Sequence, residues 1–328
     1  MRRRSLLALP GLLLPGLAPA QTGAQTRAQT GAQTQAAPSV VASFSILGDM
    51  VTQIAGDRVR LRTLAGPNAD AHSFSPRPSD AQALRGAALV VRNGLGFDGW
   101  MDRMIRAAGY AGPVATATQG ITPRQMDAHA HGHDHGGAAR RHNHSVAPRQ
   151  VPDPHAWQDL RFGIAYARTI AAALAAAVPA EAAAIQANAA AYVARLEALD
   201  AWVRAEVAAV PEARRKVVTS HDAFGYFGAT YGVTFLAPQG ISTEAEPSAA
   251  DVARLIRQIR AEGITAVFLE NMGNPATLER LAREAGVVVR GRLYADALSE
   301  PSGLAPTYEA MFRHNIGVLV PAMRGDAA

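Results

Sequence analysis

The sequence predicts an α/β protein with two lobes, each built on a parallel sheet. Two observations carry this. Short β-rich runs alternate with helical stretches, and such alternation builds a parallel sheet covered by helices. The alternation also occurs twice, before and after a long Ala-rich helical region. In the first half the strands are Val40 to Phe44, Val59 to Leu64 and Leu89 to Arg92, with helices at Gly48 to Ile54 and Phe97 to Ala108. The middle holds helical runs at Leu160 to Ala177, closed by Pro179, and at Glu181 to Val210, closed by Pro211. Either run can bridge two lobes. In the second half the strands are Lys216 to Thr219, Thr265 to Leu269 and Val287 to Leu293. The helices are Ala223 to Tyr231, Ala249 to Glu262 with the capping pair Ser248 and Asp251, Pro275 to Ala285, and one near Thr307 to Leu319.

Ahead of the first lobe, residues 1–20 carry Arg2, Arg3 and Arg4, an apolar run from Leu6 to Leu17, and Ala18-Pro19-Ala20. That is the three-part pattern of a signal peptide cleaved after Ala20. Arg-Arg-Ser-Leu-Leu is also compatible with a twin-arginine signal, so the export route stays open. The apolar run is too short to span a bilayer, and no later segment reads as a span, so a soluble exported protein is expected. Residues 21–38 are a Gln/Thr/Ala/Gly repeat that cannot bury enough apolar surface to order itself, and they read as a disordered leader.

Composition excludes several functions. The formal charge is +5 over 328 residues, but the signal segment holds three Arg and no acid, so residues 21–328 carry 5 − 3 = +2. Nucleic acid is not an expected partner. With no Cys in the sequence, an exported protein has no disulfide framework, no thiolate metal ligand and no Cys for a lipid anchor. A metal site must then use His and carboxylates.

Six of the ten His lie in one insert, residues 125–151: His129, His131, His133, His135, His142 and His144, among Gly, Ala and Arg. They alternate with other residues and cannot all converge on one rigid site, so they read either as a tolerated disordered loop or as a flexible tract for weak auxiliary zinc capture. The other four differ in context. His72 follows the strand Val59 to Leu64, and His221 follows Lys216 to Thr219. Ligands of parallel sheets bind beyond the carboxyl ends of strands, so both stand where a site belongs. His155 lies in the stiff loop Pro152-Asp153-Pro154-His155, and Asp296 follows Val287 to Leu293. His314 sits mid-helix and reads as a half-buried packing residue. Glu244, Glu246 and Glu270 are weaker candidates, the first two as gating or supporting groups.

Three His and one Asp form a nitrogen-rich, four-coordinate set that suits zinc over magnesium, calcium or manganese, while ligand type alone leaves copper and nickel open. Binding that requires imidazoles to lose protons favours a reversible carrier over a permanent structural site. A zinc hydrolase would need an open coordination position and a general base. The chain has no His-Glu-x-x-His helix, and Asp296 completes the shell. A metal-buffering protein without a transporter is the other rival, fitted by the His tract alone.

The segments ADAHSFSPRPSDAQAL, DPHAWQDL, TSHDAFGYFGATYGV, VFLENMGNPATLERLAREAG and LYADALSE together resemble the zinc-binding solute-binding proteins of ABC importers, the ZnuA/AztC type, from about Val40 to Met323. The resemblance implies two Rossmann-like lobes, at residues 39–158 and 179–328, joined by a single long rigid helix at residues 159–178. It implies a metal buried between the lobes on His72, His155, His221 and Asp296. It also implies zinc as the transported ligand, because manganese-binding relatives usually carry Glu at the position of His221. The implied partners are an ABC permease with its cytoplasmic ATPase, the sequence leaves open whether a periplasmic zinc metallochaperone loads the protein, and a monomer is expected. Ala71 stands where the family often has Pro.

Overall fold

In the computed structural model the described residues are 37–127, 150–240, 242–244 and 246–326. The first sheet comprises β1 (Ser39–Phe44), β2 (Arg60–Ala65), β3 (Leu89–Arg92) and β4 (Val114–Thr116), in the order β2-β1-β3-β4 and parallel throughout. The second comprises β7 (Lys216–Val218), β8 (Thr234–Leu236), β9 (Ala266–Glu270) and β10 (Val288–Leu293), in the order β10-β9-β7-β8. Its pairs are also parallel. Between the sheets in sequence, β5 (Gln125–Asp127) and β6 (Gln150–Pro152) pair antiparallel.

The sequence predicts the central strands β1, β3, β7 and β9 and the longer edge strands β2 and β10. Val40, Val41, Ala42 and Phe44 of β1 are buried without exception, as expected for parallel strands covered on both sides. β4 and β8 are three-residue edge strands, too short to show a period, and the sequence does not predict them.

The helices are α1 (Ser45–Ala55), α2 (Pro78–Arg85), α3 (Trp100–Ala108), α4 (Leu160–Ala177), α5 (Ala182–Ala208), α6 (Gly225–Tyr231), α7 (Ala249–Glu262), α8 (Ala276–Ala285) and α9 (Tyr308–Arg324). Their starts follow local chemistry. Ser248 Oγ accepts the Asp251 amide at the start of α7, and Thr307 Oγ1 accepts the Ala310 amide at the start of α9. α2 is short and mostly polar, and sequence periodicity does not reveal it.

A helix of 18 residues lies where the sequence places the junction, as α4. The expectation that nothing beyond the signal segment could span a membrane needs correction: α4 is long and apolar enough to do so. Its apolar residues have another use. Leu160, Ile164, Tyr166, Ala167, Ile170 and Leu174 belong to the main core, a cluster that runs from β1 and α1 through α4 and α5 to β9 and α9. The 27-residue α5 packs along α4 and also meets α1 of the first lobe and α6 and α9 of the second. Its buried residues Ile185, Ala189, Tyr192, Leu196, Leu199, Val203 and Val207 recur at three- and four-residue steps, one continuous stripe. The connection is therefore made by packed helices rather than by a loop hinge.

The segments expected to be signal peptide and leader lie outside the described residues apart from Ala37 and Pro38, and the Pro38 carbonyl accepts the Arg60 amide at 2.8 Å.

Candidate metal centre

The four residues singled out from sequence come together. One potential ligand atom from each of His72, His155, His221 and Asp296 lies within 4.8 Å of every other. Each comes from a loop beyond the carboxyl end of a strand: His72 after β2, His155 after β6, His221 after β7 and Asp296 after β10. Asp296 is the hub. Its Oδ2 lies 3.3 Å from His72 Nε2 and 3.0 Å from His221 Nε2, and its Oδ1 lies 3.7 Å from His155 Nε2. Ligands about 2.0–2.1 Å from a tetrahedral zinc stand roughly 3.3 Å apart, so these separations suit one ion.

The site is shut off from solvent. His155, His221 and Asp296 are fully buried, and the His72 side chain retains 6% exposure. His72 Nε2, His155 Nε2 and Asp296 Oδ1 have no hydrogen-bond partner despite being buried. Buried polar atoms left unpaired are costly, and a cation among them would satisfy all three.

Two carboxylates that sequence alone does not assign to the site orient the rings. Asp153 Oδ1 accepts both the backbone amide of His155, at 3.0 Å, and its Nδ1–H, at 2.9 Å. Glu270, the last residue of β9, does the same for His221: Oε1 accepts the amides of Ser220 and His221, and Oε2 accepts the ring Nδ1–H. An ionised carboxylate only accepts, so in both rings Nδ1 is the donor, which leaves Nε2 as the atom that takes a metal once its own proton is lost. The place of Asp153, two residues before His155, is a local signal that could have found it. Glu270 is 49 positions from His221 and gives no such signal.

Burial by itself would depress His155, but the charge of Asp296, the hydrogen bond that the ring donates to Asp153 and the Asp153 charge outweigh it and push its pKa up to about 9. His221 is held well above the ordinary His value: burial opposes, while Glu270 and Asp296 prevail. Burial would raise Asp296, yet His221 and His155 hold it well below the carboxylate range.

The loops are braced by groups from elsewhere. Tyr166 of α4 donates to Asn93 Oδ1, and Asn93 Nδ2 donates to the Pro154 carbonyl at 3.0 Å, fixing the His155 loop. Trp157 Nε1 and Gln158 Nε2 both donate to the Ala295 carbonyl, beside Asp296. Asn315 of α9 bonds both backbone groups of Tyr294. The Trp157 and Gln158 bonds tie the His155 loop of one lobe to the Asp296 loop of the other.

Of the remaining candidates, Glu246 lines a cavity of about 70 Å³ beside His221, with Asp70, Ser220, Thr243 and Glu270. Glu244 is exposed. His314 is half-buried and bonds the Arg292 carbonyl at 2.9 Å, away from the site. His129, His131, His133, His135, His142 and His144 lie outside the described residues. The β5–β6 pair brings the flanks of that segment together, with Asp127 opposite Gln150, three residues from Asp153.

The chain matches the family described as "Zinc-uptake complex component A periplasmic", ZnuA, over residues 40–322. It is 31% identical to the manganese-binding lipoprotein MntA of Bacillus subtilis over 290 residues, 87% of this chain and 89% of that one. It is 29% identical to the zinc-binding protein TroA of Treponema pallidum over 291 residues, 87% of this chain and 89% of that one. It is also 27% identical, over 84% of its length and 86% of the relative's, to the iron ABC transporter substrate-binding lipoprotein MtsA of Streptococcus pyogenes. The solved structure of TroA superimposes with a TM-score of 0.76 over 87% of this chain and 99% of TroA, at 29% identity. A manganese-bound periplasmic metal-binding protein of Candidatus Liberibacter asiaticus, carrying a point mutation, gives 0.75 over the same shares at 28% identity. These are transport proteins rather than enzymes, and the present chain belongs to their family, the metal-binding substrate-binding proteins of ABC transporters.

Proposed function

We propose that this protein captures Zn(II) outside the cytoplasm, between its two lobes, and delivers it to an ABC permease driven by a cytoplasmic ATPase. Membership of the family leaves the metal open, since relatives are named for manganese, zinc and iron. The choice rests on ligand chemistry. The observation that carries zinc is the imidazole of His221, which makes the shell three nitrogens and one carboxylate and is braced by Glu270. Manganese favours oxygen-rich shells, and a nitrogen-rich tetrahedron favours zinc.

The N-terminal segment is read as an export signal cleaved after Ala20. Some relatives are lipoproteins by name. The 328 residues here contain no Cys, and we read the mature protein as released, monomeric and loaded either directly or by a zinc donor protein.

Competition of the mature protein against a chelator, metal by metal, tests the cargo. Zinc should bind far more tightly than manganese, and His221→Glu should narrow that gap by weakening zinc. Equal affinity of the unaltered protein for the two metals would remove the zinc reading.

A further inference from the structure

Two ligands sit in the same kind of triplet, Asp70-Ala71-His72 and Asp153-Pro154-His155. Both use the Asp alike at the backbone: Oδ1 of Asp70 accepts the His72 amide at 2.8 Å, as Oδ1 of Asp153 accepts that of His155 at 3.0 Å. At the ring they part. Asp153 also holds Nδ1 of His155, and Glu270 holds Nδ1 of His221. The other oxygen of Asp70 turns away from its own His and accepts the hydroxyl of Thr243, from the second lobe, at 2.6 Å. Among the described residues, His72 is thus the one ligand imidazole with no carboxylate on Nδ1.

Its backbone is also less constrained. Ala71 stands where the other triplet has the ring of Pro154, and Asn68 adopts a left-handed conformation at φ 53°. What holds the loop against the second lobe is a short series of bonds: the Asn68 amide to the Leu298 carbonyl at 2.8 Å, Asn271 Nδ2 to Asn68 Oδ1 at 3.1 Å, and Thr243 to Asp70. The last is nearest the ligand. It also faces the cavity beside His221, whose walls carry the carboxylates of Asp70, Glu246 and Glu270, a lining that attracts a passing cation.

Building on the reading of this centre as a metal carrier, we infer that Thr243 is a positioning residue for metal retention. By holding Asp70 across the cleft it fixes the Asp70–His72 turn, so His72 keeps its place only while the two lobes are engaged. His72 is then the first ligand to leave when the metal is released, through the cavity that Thr243 borders.

The test uses the mature full chain loaded with zinc and diluted into excess chromophoric chelator. Thr243→Val should release zinc roughly tenfold faster, the factor expected for losing one hydrogen bond to a charged group at a partly exposed position. Thr243→Ser should release at the wild-type rate, because it restores the hydroxyl. Melting of the metal-free Val variant should match wild type, which separates positioning from general destabilisation. Release from Thr243→Val at the wild-type rate, or equally fast release from the Ser variant, would overturn the inference. Failure of the wild-type protein to hold zinc would instead strike the proposed cargo, and the same comparison on manganese-loaded protein would then decide the role of Thr243.

Discussion

Asp296 accepts contacts from three imidazoles inside a buried pocket, and two of those rings have a second carboxylate behind them. The same carboxylates that aim the rings at a metal also stabilise their protons. The proton is therefore the competitor of the metal. With His155 raised to about 9 and His221 raised in the same direction, both are protonated at neutral pH in the metal-free protein, and both must deprotonate to bind. Apparent zinc affinity should fall as pH falls from about 8 to 6.5, by up to about a hundredfold per unit if two protons are displaced. Calorimetry in buffers of different ionisation enthalpy should count more than one proton released. The sign for stability is opposite. A folded pKa near 9 against about 6.5 unfolded means that protonation of His155 stabilises the metal-free protein fully below 6.5, with loss as pH rises through 9. Metal-free protein should melt lower at pH 9.5 than at 6.5. At this scale the cluster of His72, His155, His221 and Asp296 was legible as a candidate site because each follows a strand or a proline-stiffened turn. Glu270 was not, since nothing local distinguishes it from a solvated acid.

At the scale of elements, the site is made by strand ends. β2, β7, β9 and β10 each deliver a group at the carboxyl edge of a parallel sheet, where diverging connections leave a crevice. The antiparallel pair β5–β6 plays another part, bracketing residues 128–149 and setting Asp127 opposite Gln150. Deleting residues 129–144 should leave this ladder and one tight zinc equivalent intact, because all four ligands lie outside the deletion, while weaker zinc equivalents disappear. Equilibrium titration of intact and shortened proteins reads both. Loss of the tight equivalent would mean that the insert contributes a ligand. The central strands, the six-residue edge strands β2 and β10, and all helices but α2 were legible from alternation and period. β4 and β8 were not, because three residues at a sheet edge carry too little pattern.

Across the whole molecule, the two sheets are not separate bodies linked by a flexible hinge. One apolar cluster runs from Val40 and Phe44 through Tyr166, Tyr192 and Leu196 to Phe268 and Phe312, and wide opening would expose it to water. Solution scattering curves with and without zinc should nearly superimpose, in contrast to a hinge-closing binding protein. Leu196→Ala, in the middle of α5, should cost about 2–5 kcal/mol and lower the stability of both lobes in one transition, visible as a single shifted denaturation curve. Two separate transitions would show that the core is not shared.

The sequence by itself determined the repeated α/β order and a candidate set of three His and one Asp with nitrogen-rich chemistry, because these depend on local period, strand ends and residue type. Only the tertiary structure decided that Glu270 orients His221, that Asp70 turns to Thr243 rather than to its own His, and that α4 and α5 bind both lobes into one core. Those are contacts between residues far apart in the chain, and their pairing is set by how the sheets and helices pack, which no local pattern records.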